Sequence, residues 1–127
     1  MSGFSILFNW VNDSIKVVTS ENGYAALVFP YNRQKSWRLL GRALDEFGAN
    51  IEDRDSIGGS YFIKVEPNKG FFSKLINTVG SIKTYQLYIK QIEDSRSEVY
   101  FVDLSQENNK ETIEFSFEFF NSLSSRI

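Results

Sequence analysis

The fold of this chain is decided by residues 23–48, which read GYAALVFPYNRQKSWRLLGRALDEFG. The continuous apolar run at residues 24–29 lies between a glycine and Pro30, and its length predicts a buried strand. Asn32 is a favourable N-cap for a following helix. Gly48 stands where a helix C-cap belongs. The stretch therefore predicts a strand that is followed directly by a helix.

Apolar side chains recur along this helix at spacings of three and four, which places them on one face. They are Trp37, Leu40, Leu44 and Phe47, and we predict that all four lie in the core. Gly41 stands beside them although a glycine destabilises a helix by about 1 kcal/mol relative to alanine. A close approach of the helix backbone to a sheet is the expected reason for it.

Four more strands are predicted downstream. Residues 51–55 and 60–65 form a hairpin whose loop, 56–59, contains glycines suited to positive φ. Residues 84–90 alternate apolar and polar side chains, and residues 98–104 follow a polar turn.

The last segment is ambiguous from its pattern. Ile113, Phe115, Phe117 and Phe119 alternate as in a strand, while the apolar residues of 113–123 also fit one helical face. Periodicity leaves both alternatives open.

Composition sets limits on function. The chain has 127 residues with 42% hydrophobic and 24% charged residues, which is typical of one globular domain. Its net charge of −2 does not favour a nucleic-acid partner. The absence of Cys and His removes thiol nucleophiles, thiolate metal sites and imidazole acid–base chemistry. We therefore expect a protein that is not an enzyme and uses no cofactor.

Residues 1–22 read as a leading segment or interdomain linker, and the domain proper is placed at 23–127. The apolar residues of this segment indicate either the tail of an upstream element or an added strand. The start has no basic region of the kind that opens a signal peptide. If the native protein is exported, we expect its targeting signal upstream of this sequence.

An ordered set of short stretches carries a family resemblance. They are SENGY at 20–24, ALVFP at 26–30, WRLLGRAL at 37–44, FG at 47–48, EDRD at 52–55, GSYF at 59–62, GFFSKL at 70–75, YQL at 85–87 and FFNSL at 119–123. In this order they resemble the BamC (lipoprotein-34, NlpB/DapX) family, most closely its C-terminal domain. The resemblance covers roughly residues 15–127 and contains no chemical signature.

The resemblance implies an α+β helix-grip fold, in which an antiparallel β-sheet packs against a helix after the first strand and a long C-terminal helix. It also implies a protein-interaction domain of an outer-membrane lipoprotein, an accessory component of the β-barrel assembly machinery. The implied partners are other proteins of that complex. Membrane association would use a lipid anchor upstream of this chain, on the periplasmic or the exposed side of the outer membrane.

Residues 52–55 form the densest carboxylate cluster of the sequence. Strand alternation predicts Asp53 and Asp55 on one face, with Glu52 and Arg54 on the other. A hydrolytic or calcium site would use such carboxylates, but a solvated hairpin end neutralised by Arg54 is the preferred interpretation. The pair Ser73-Lys74 has no visible base or oxyanion device, so no catalytic residue is predicted.

The excursion at residues 70–80, which lies between the predicted strands 60–65 and 84–90, is unusually apolar. Its candidate interaction residues are Phe71, Phe72, Lys74, Leu75 and Ile76. They are expected either to fold over the sheet as a lid or to contact a partner, together with the groove beside the C-terminal helix. An alternative function is a small apolar-ligand carrier of the helix-grip type, which requires a cavity of about 300 Å³ or more.

Overall fold

The computed structural model describes residues 14–66, 82–104 and 110–127. Within these ranges it contains six strands and two helices. They are β1 (Lys16–Thr19), β2 (Ala25–Phe29), α1 (Arg33–Phe47), β3 (Asn50–Asp55), β4 (Ser60–Val65), β5 (Lys83–Glu93), β6 (Arg96–Asp103) and α2 (Lys110–Ser124).

The described strands form one antiparallel sheet in the order β1-β2-β6-β5-β4-β3. The four pairs β1–β2, β3–β4, β4–β5 and β5–β6 join strands that are neighbours in sequence, whereas the β2–β6 pair joins the two halves of the chain. Strand β1 falls within the predicted leading segment, and its Val17 pairs with Leu27. The structure therefore shows an added strand at residues 16–19. The domain boundary at residue 23 stays a prediction.

Helix α1 begins and ends where its capping residues predict. The Asn32 side chain accepts a 2.9 Å hydrogen bond from the backbone N–H of Lys35, which satisfies a donor of the first turn. Gly48 adopts φ 81°, and its N–H donates to the carbonyls of Asp45 and Leu44. The left-handed cap suits glycine because a side chain there would be strained.

Both helices pack on the same face of the sheet around an aromatic core. The ring of Phe101 on β6 contacts Phe115, Phe119 and Phe120 of α2 at centroid distances of 6.0–6.5 Å. Phe119 also contacts Phe47 of α1 at 5.8 Å. The last segment is thus a helix, and the predicted α+β fold with a sheet gripping a C-terminal helix is confirmed.

The predicted apolar face of α1 is confirmed for three of its four residues. Leu40 and Leu44 are fully buried and Phe47 is 2% exposed. The prediction was wrong for Trp37, which is only partly buried against the core. Its indole stacks on the ring of Tyr61 at 3.9 Å, on the strand beside the edge strand β3. The sheet ends there, so one side of the indole remains towards solvent.

Gly41 lies against the sheet as expected. A Cβ at this position would overlap the hydroxyl of Tyr61 on β4. The hydroxyl donates a 2.9 Å hydrogen bond to the carbonyl oxygen of Trp37. Glycine therefore lets α1 approach β4 closely enough for this bond to form.

Candidate interaction surfaces

Strand β3 contains a β-bulge between Ile51 and Asp53, within its carboxylate cluster. Glu52 is the extra residue, and its carboxylate accepts a 3.3 Å hydrogen bond from Thr84. The prediction that Glu52 shares a face with Arg54 is therefore wrong, because the bulge interrupts the strand alternation.

Asp55 and Arg54, at the end of the β3–β4 hairpin, each bind a nearby group of the protein. The Asp55 carboxylate accepts from the N–H of Gly58 in the turn at 2.9 Å. Arg54 lies 3.0 Å from Asp45 on α1, rather than neutralising its neighbours in β3. Exposed pairs of this kind contribute about 0–1 kcal/mol. Within the described ranges, no three His, Cys, Asp or Glu side chains are grouped closely enough to hold a metal ion.

The candidate residues Phe71, Phe72, Lys74, Leu75 and Ile76 lie outside the described residues. The structure does place the two strand ends that flank them. Val65 and Lys83 are paired at the end of the β4–β5 hairpin.

Apolar side chains are exposed at this end of the sheet. Ile82 is 61% exposed. Leu104 is 48% exposed and directly follows Asp103, the β6 residue that pairs with Tyr85 on β5. The opposite end carries the β3–β4 turn, where Ile57 is 93% exposed.

The sheet face opposite the helices carries an apolar row that crosses four strands. Val18, Ala26, Tyr100 and Tyr88 are consecutive cross-strand partners on β1, β2, β6 and β5. The two tyrosine rings stack at a centroid distance of 6.4 Å, and Tyr88 and Val18 are each 38% exposed. Beside the row lies an open cavity of about 580 Å³, which Lys90 and Glu98 also line.

Two tyrosines of the sheet have strongly raised pKa values. A hydrogen bond of 2.6 Å to the Glu98 carboxylate raises the pKa of Tyr100 to about 12. Burial raises the pKa of Tyr61 to about 12, against the lowering effect of the nearby Arg54 charge. Both phenols are neutral donors at ordinary pH, which is opposite to the activation that a nucleophile or base requires.

A groove runs between α1 and the end of the chain. It has a volume of about 510 Å³, and its apolar lining comes from Ile15, Tyr31, Leu39 and Ile127. All four are partly buried and packed against the core. A second depression of about 360 Å³ shares Lys35 and Leu39 with the groove and adds Arg38 and Arg42. We call the two together the α1 groove.

The sequence predicted a groove beside the C-terminal helix but none of the residues that line the α1 groove. The spacing of Lys35, Arg38 and Arg42 by three and four residues is a local signal for one helical face. Ile15 and Ile127 come from opposite ends of the described chain, so no local pattern joins them. Neither helix of the described residues is long and apolar enough to cross a membrane.

Comparisons with known proteins agree with this architecture. Residues 15–123 match the family profile of the outer membrane protein assembly factor BamC-like C-terminal domain. The chain is 32% identical over 102 residues to the outer membrane protein assembly factor BamC of Accumulibacter regalis, covering 70% of this chain and 26% of that protein. It is 38% identical over 64 residues to the protein of the same name from Shewanella oneidensis, covering 50% of this chain and 18% of that protein.

The chain thus spans about a quarter of the length of the first relative and less of the second. The matched residues include β1, which begins at Lys16, and nearly all of α2, which ends at Ser124. The profile therefore covers every described strand together with the gripped helix. The chain belongs to the family of BamC-like C-terminal domains.

Proposed function

We propose that this chain is a non-enzymatic protein-interaction domain of an outer-membrane lipoprotein that serves the β-barrel assembly machinery. Its partners are other proteins of the assembly complex. The family membership and the names of both relatives support the assembly role. A lipid anchor upstream of this chain attaches the whole protein to the outer membrane, on its periplasmic or exposed side.

The observation that carries the proposal is the apolar surface at the β4–β5 end of the sheet. Ile82 and Leu104 are 61% and 48% exposed there, and Ile82 directly follows in sequence a segment that includes Phe71, Phe72 and Leu75. Large apolar side chains concentrated at one end of a domain are typical of a protein contact.

Each candidate residue has a role in this contact. Phe71, Phe72, Leu75 and Ile76 act as apolar anchors, because burying large side chains supplies most of the energy of an interface. Lys74 lies at the rim, where a charge affects the association rate more than the affinity.

The packing of the interior supports an interaction domain over a small-ligand carrier. Tyr85 contacts Phe101 at a centroid distance of 4.7 Å and Phe115 at 5.6 Å, between the sheet and α2. Phe115 and Phe119 stack at 5.9 Å. These rings occupy the space where a carrier of this fold would hold an apolar ligand.

The test is a double substitution, Phe71→Ser with Phe72→Ser, in the lipidated full-length protein. Capture of the assembly complex should weaken by about 2 kcal/mol or more, while the melting temperature of the domain stays nearly unchanged. Ile57→Ser is the matched control, since it removes an exposed apolar side chain at the opposite end of the sheet.

Two results would contradict this assignment. A fall in melting temperature with binding lost only through unfolding would make the segment an internal lid. Unchanged capture by a stably folded double variant would remove the segment from the interface.

A further inference from the structure

The α1 groove combines an apolar floor with a basic ridge. Tyr31, Leu39 and Ile127 contribute to the floor. The ridge consists of Lys35, Arg38 and Arg42, which are all exposed. An α-helix rises 1.5 Å per residue, so the ridge extends for about 10 Å along α1.

The cations of the ridge have no acidic partner within the described residues. The ion pairs found there join Arg54 to Asp45, Lys64 to Glu66 and Arg96 to Glu98. The Lys35 ammonium group lies 4.1 Å from the centroid of the Tyr31 ring, which is part of the groove floor. Three like charges at spacings of three and four repel one another by a few tenths of a kcal/mol per pair in an isolated helix. An anionic ligand removes this repulsion.

The neighbourhood of the ridge indicates which anion fits. Asp45 and Glu46 lie on the last turn of the same helix, and the chain as a whole has a net charge of −2. A broad anionic membrane surface laid on α1 would meet these carboxylates as well as the ridge. A narrow segment that follows the groove and ends at Arg42 stops one turn short of Glu46, and the apolar floor accepts a side chain that a lipid headgroup lacks.

We infer that the α1 groove binds an acidic polypeptide segment of a partner protein, with an apolar side chain on Leu39 and carboxylates along Lys35, Arg38 and Arg42. The inference rests on the proposed function in one respect, because it takes the domain to be an interaction module. It concerns a surface separate from the β4–β5 end of the sheet. Binding of this kind weakens with salt, since the ion pairs are solvent-exposed.

The test is selection of a displayed random-peptide library on the full chain, followed by affinity measurements with the selected synthetic peptides. The expected peptides are rich in Asp and Glu around a large apolar residue. Their affinity should fall about tenfold or more in the double variant Arg38→Glu with Arg42→Glu. It should also fall with added salt. The matched control is Lys16→Glu with Lys90→Glu, which changes the net charge equally on exposed residues of the sheet and should leave the affinity unchanged.

Several results would overturn the inference. They are the selection of peptides without acidic residues, equal weakening by both double variants, and failure to select any peptide. Binding to phosphatidylglycerol vesicles that is lost with the Arg38 and Arg42 reversal would make the ridge a lipid site instead. Self-association of the chain that is abolished by the same reversal would assign the groove to a second copy.

Failure here is distinguishable from failure of the proposed function. Capture of the assembly complex through the Phe71 and Phe72 segment does not require the ridge. If that capture persists while no acidic peptide binds, only the groove inference is wrong. If acidic peptides bind at the ridge while the Phe71 and Phe72 double variant captures the complex normally, only the role of that segment is wrong.

Discussion

Gly41→Ala is expected to destabilise this domain, although alanine is the better helix former. In an exposed helix interior, the change stabilises by roughly 0.5–1 kcal/mol. Here the added Cβ would overlap the hydroxyl oxygen of Tyr61. The sign of the effect therefore depends on whether Tyr61 has room to move.

The surroundings of Tyr61 leave little room. Its ring stacks on Trp37 at 3.9 Å, the residue is 2% exposed, and its hydroxyl donates to the Trp37 carbonyl at 2.9 Å. Overpacking costs about 1–3 kcal/mol, and loss of the hydrogen bond about 0.5–1.5 kcal/mol. Subtracting a helix-propensity gain of about 1 kcal/mol leaves a net loss of about 0.5–3.5 kcal/mol.

The assay is urea unfolding followed by circular dichroism, with Gly41→Ala made in the wild-type chain and in a Tyr61→Phe background. Phenylalanine removes the overlapping oxygen, and the next ring atom, Cζ, lies 3.2 Å from the Cβ position. In that background Gly41→Ala should be nearly neutral or stabilising, so that the cycle gives a coupling energy of about 1 kcal/mol or more. Equal effects in both backgrounds, or stabilisation of the wild-type chain by Gly41→Ala, would refute the close-approach argument.

Three further predictions test the core and the buried polar groups. Leu44→Ala should lower the unfolding free energy by about 2–5 kcal/mol, because it leaves a cavity under α1; a loss below about 1 kcal/mol by urea unfolding would contradict the burial of this residue. Ser116→Ala should cost about 1–3 kcal/mol, because the Ser116 hydroxyl accepts the N–H of Ala25 at 3.0 Å and its loss leaves that donor unsatisfied; thermal unfolding against Ser125→Ala, an exposed serine, checks it. Burial is the main cause that raises the pKa of Tyr61 from 10.0 to about 12, so the stability contributed by the neutral phenol is fully present below pH 10 and is lost as the pH rises to about 12. In urea unfolding at several pH values, the unfolding free energy should decline less with pH for Tyr61→Phe than for the wild type, and identical declines would contradict the assignment.

The first half of the fold was predictable because its signals are local. Asn32 and Gly48 act on backbone groups of their own helix, so their capping roles can be read from neighbouring residues. The hairpin at residues 56–59 is likewise determined within a few residues, with Gly59 at φ 77°. The family resemblance then implied a helix for the last segment, whose pattern had left a strand and a helix open.

The candidate site was predictable only in part. The apolar composition of residues 71–76 marks a candidate contact from sequence alone, and the structure adds the exposed side chains of Ile82 and Leu104 at the β4–β5 end of the sheet. The floor of the α1 groove had no local signal, because it joins Ile15 to Ile127 through packing against α1.

The sequence by itself determined five of the six described strands, where α1 begins and ends, and that Leu40 and Leu44 are buried, since these depend on spacing and capping along a few turns of chain. Only the tertiary structure decided the rest. The pattern of the segment after Lys110 fits both a strand and a helix. The helix is stabilised by the contact of Phe115 and Phe119 with Phe101 on a strand distant in sequence. The bulge at Glu52 and the partial exposure of Trp37 depend in the same way on strand pairing and on the edge of the sheet. Such contacts join residues far apart in sequence, so no local pattern determines their outcome.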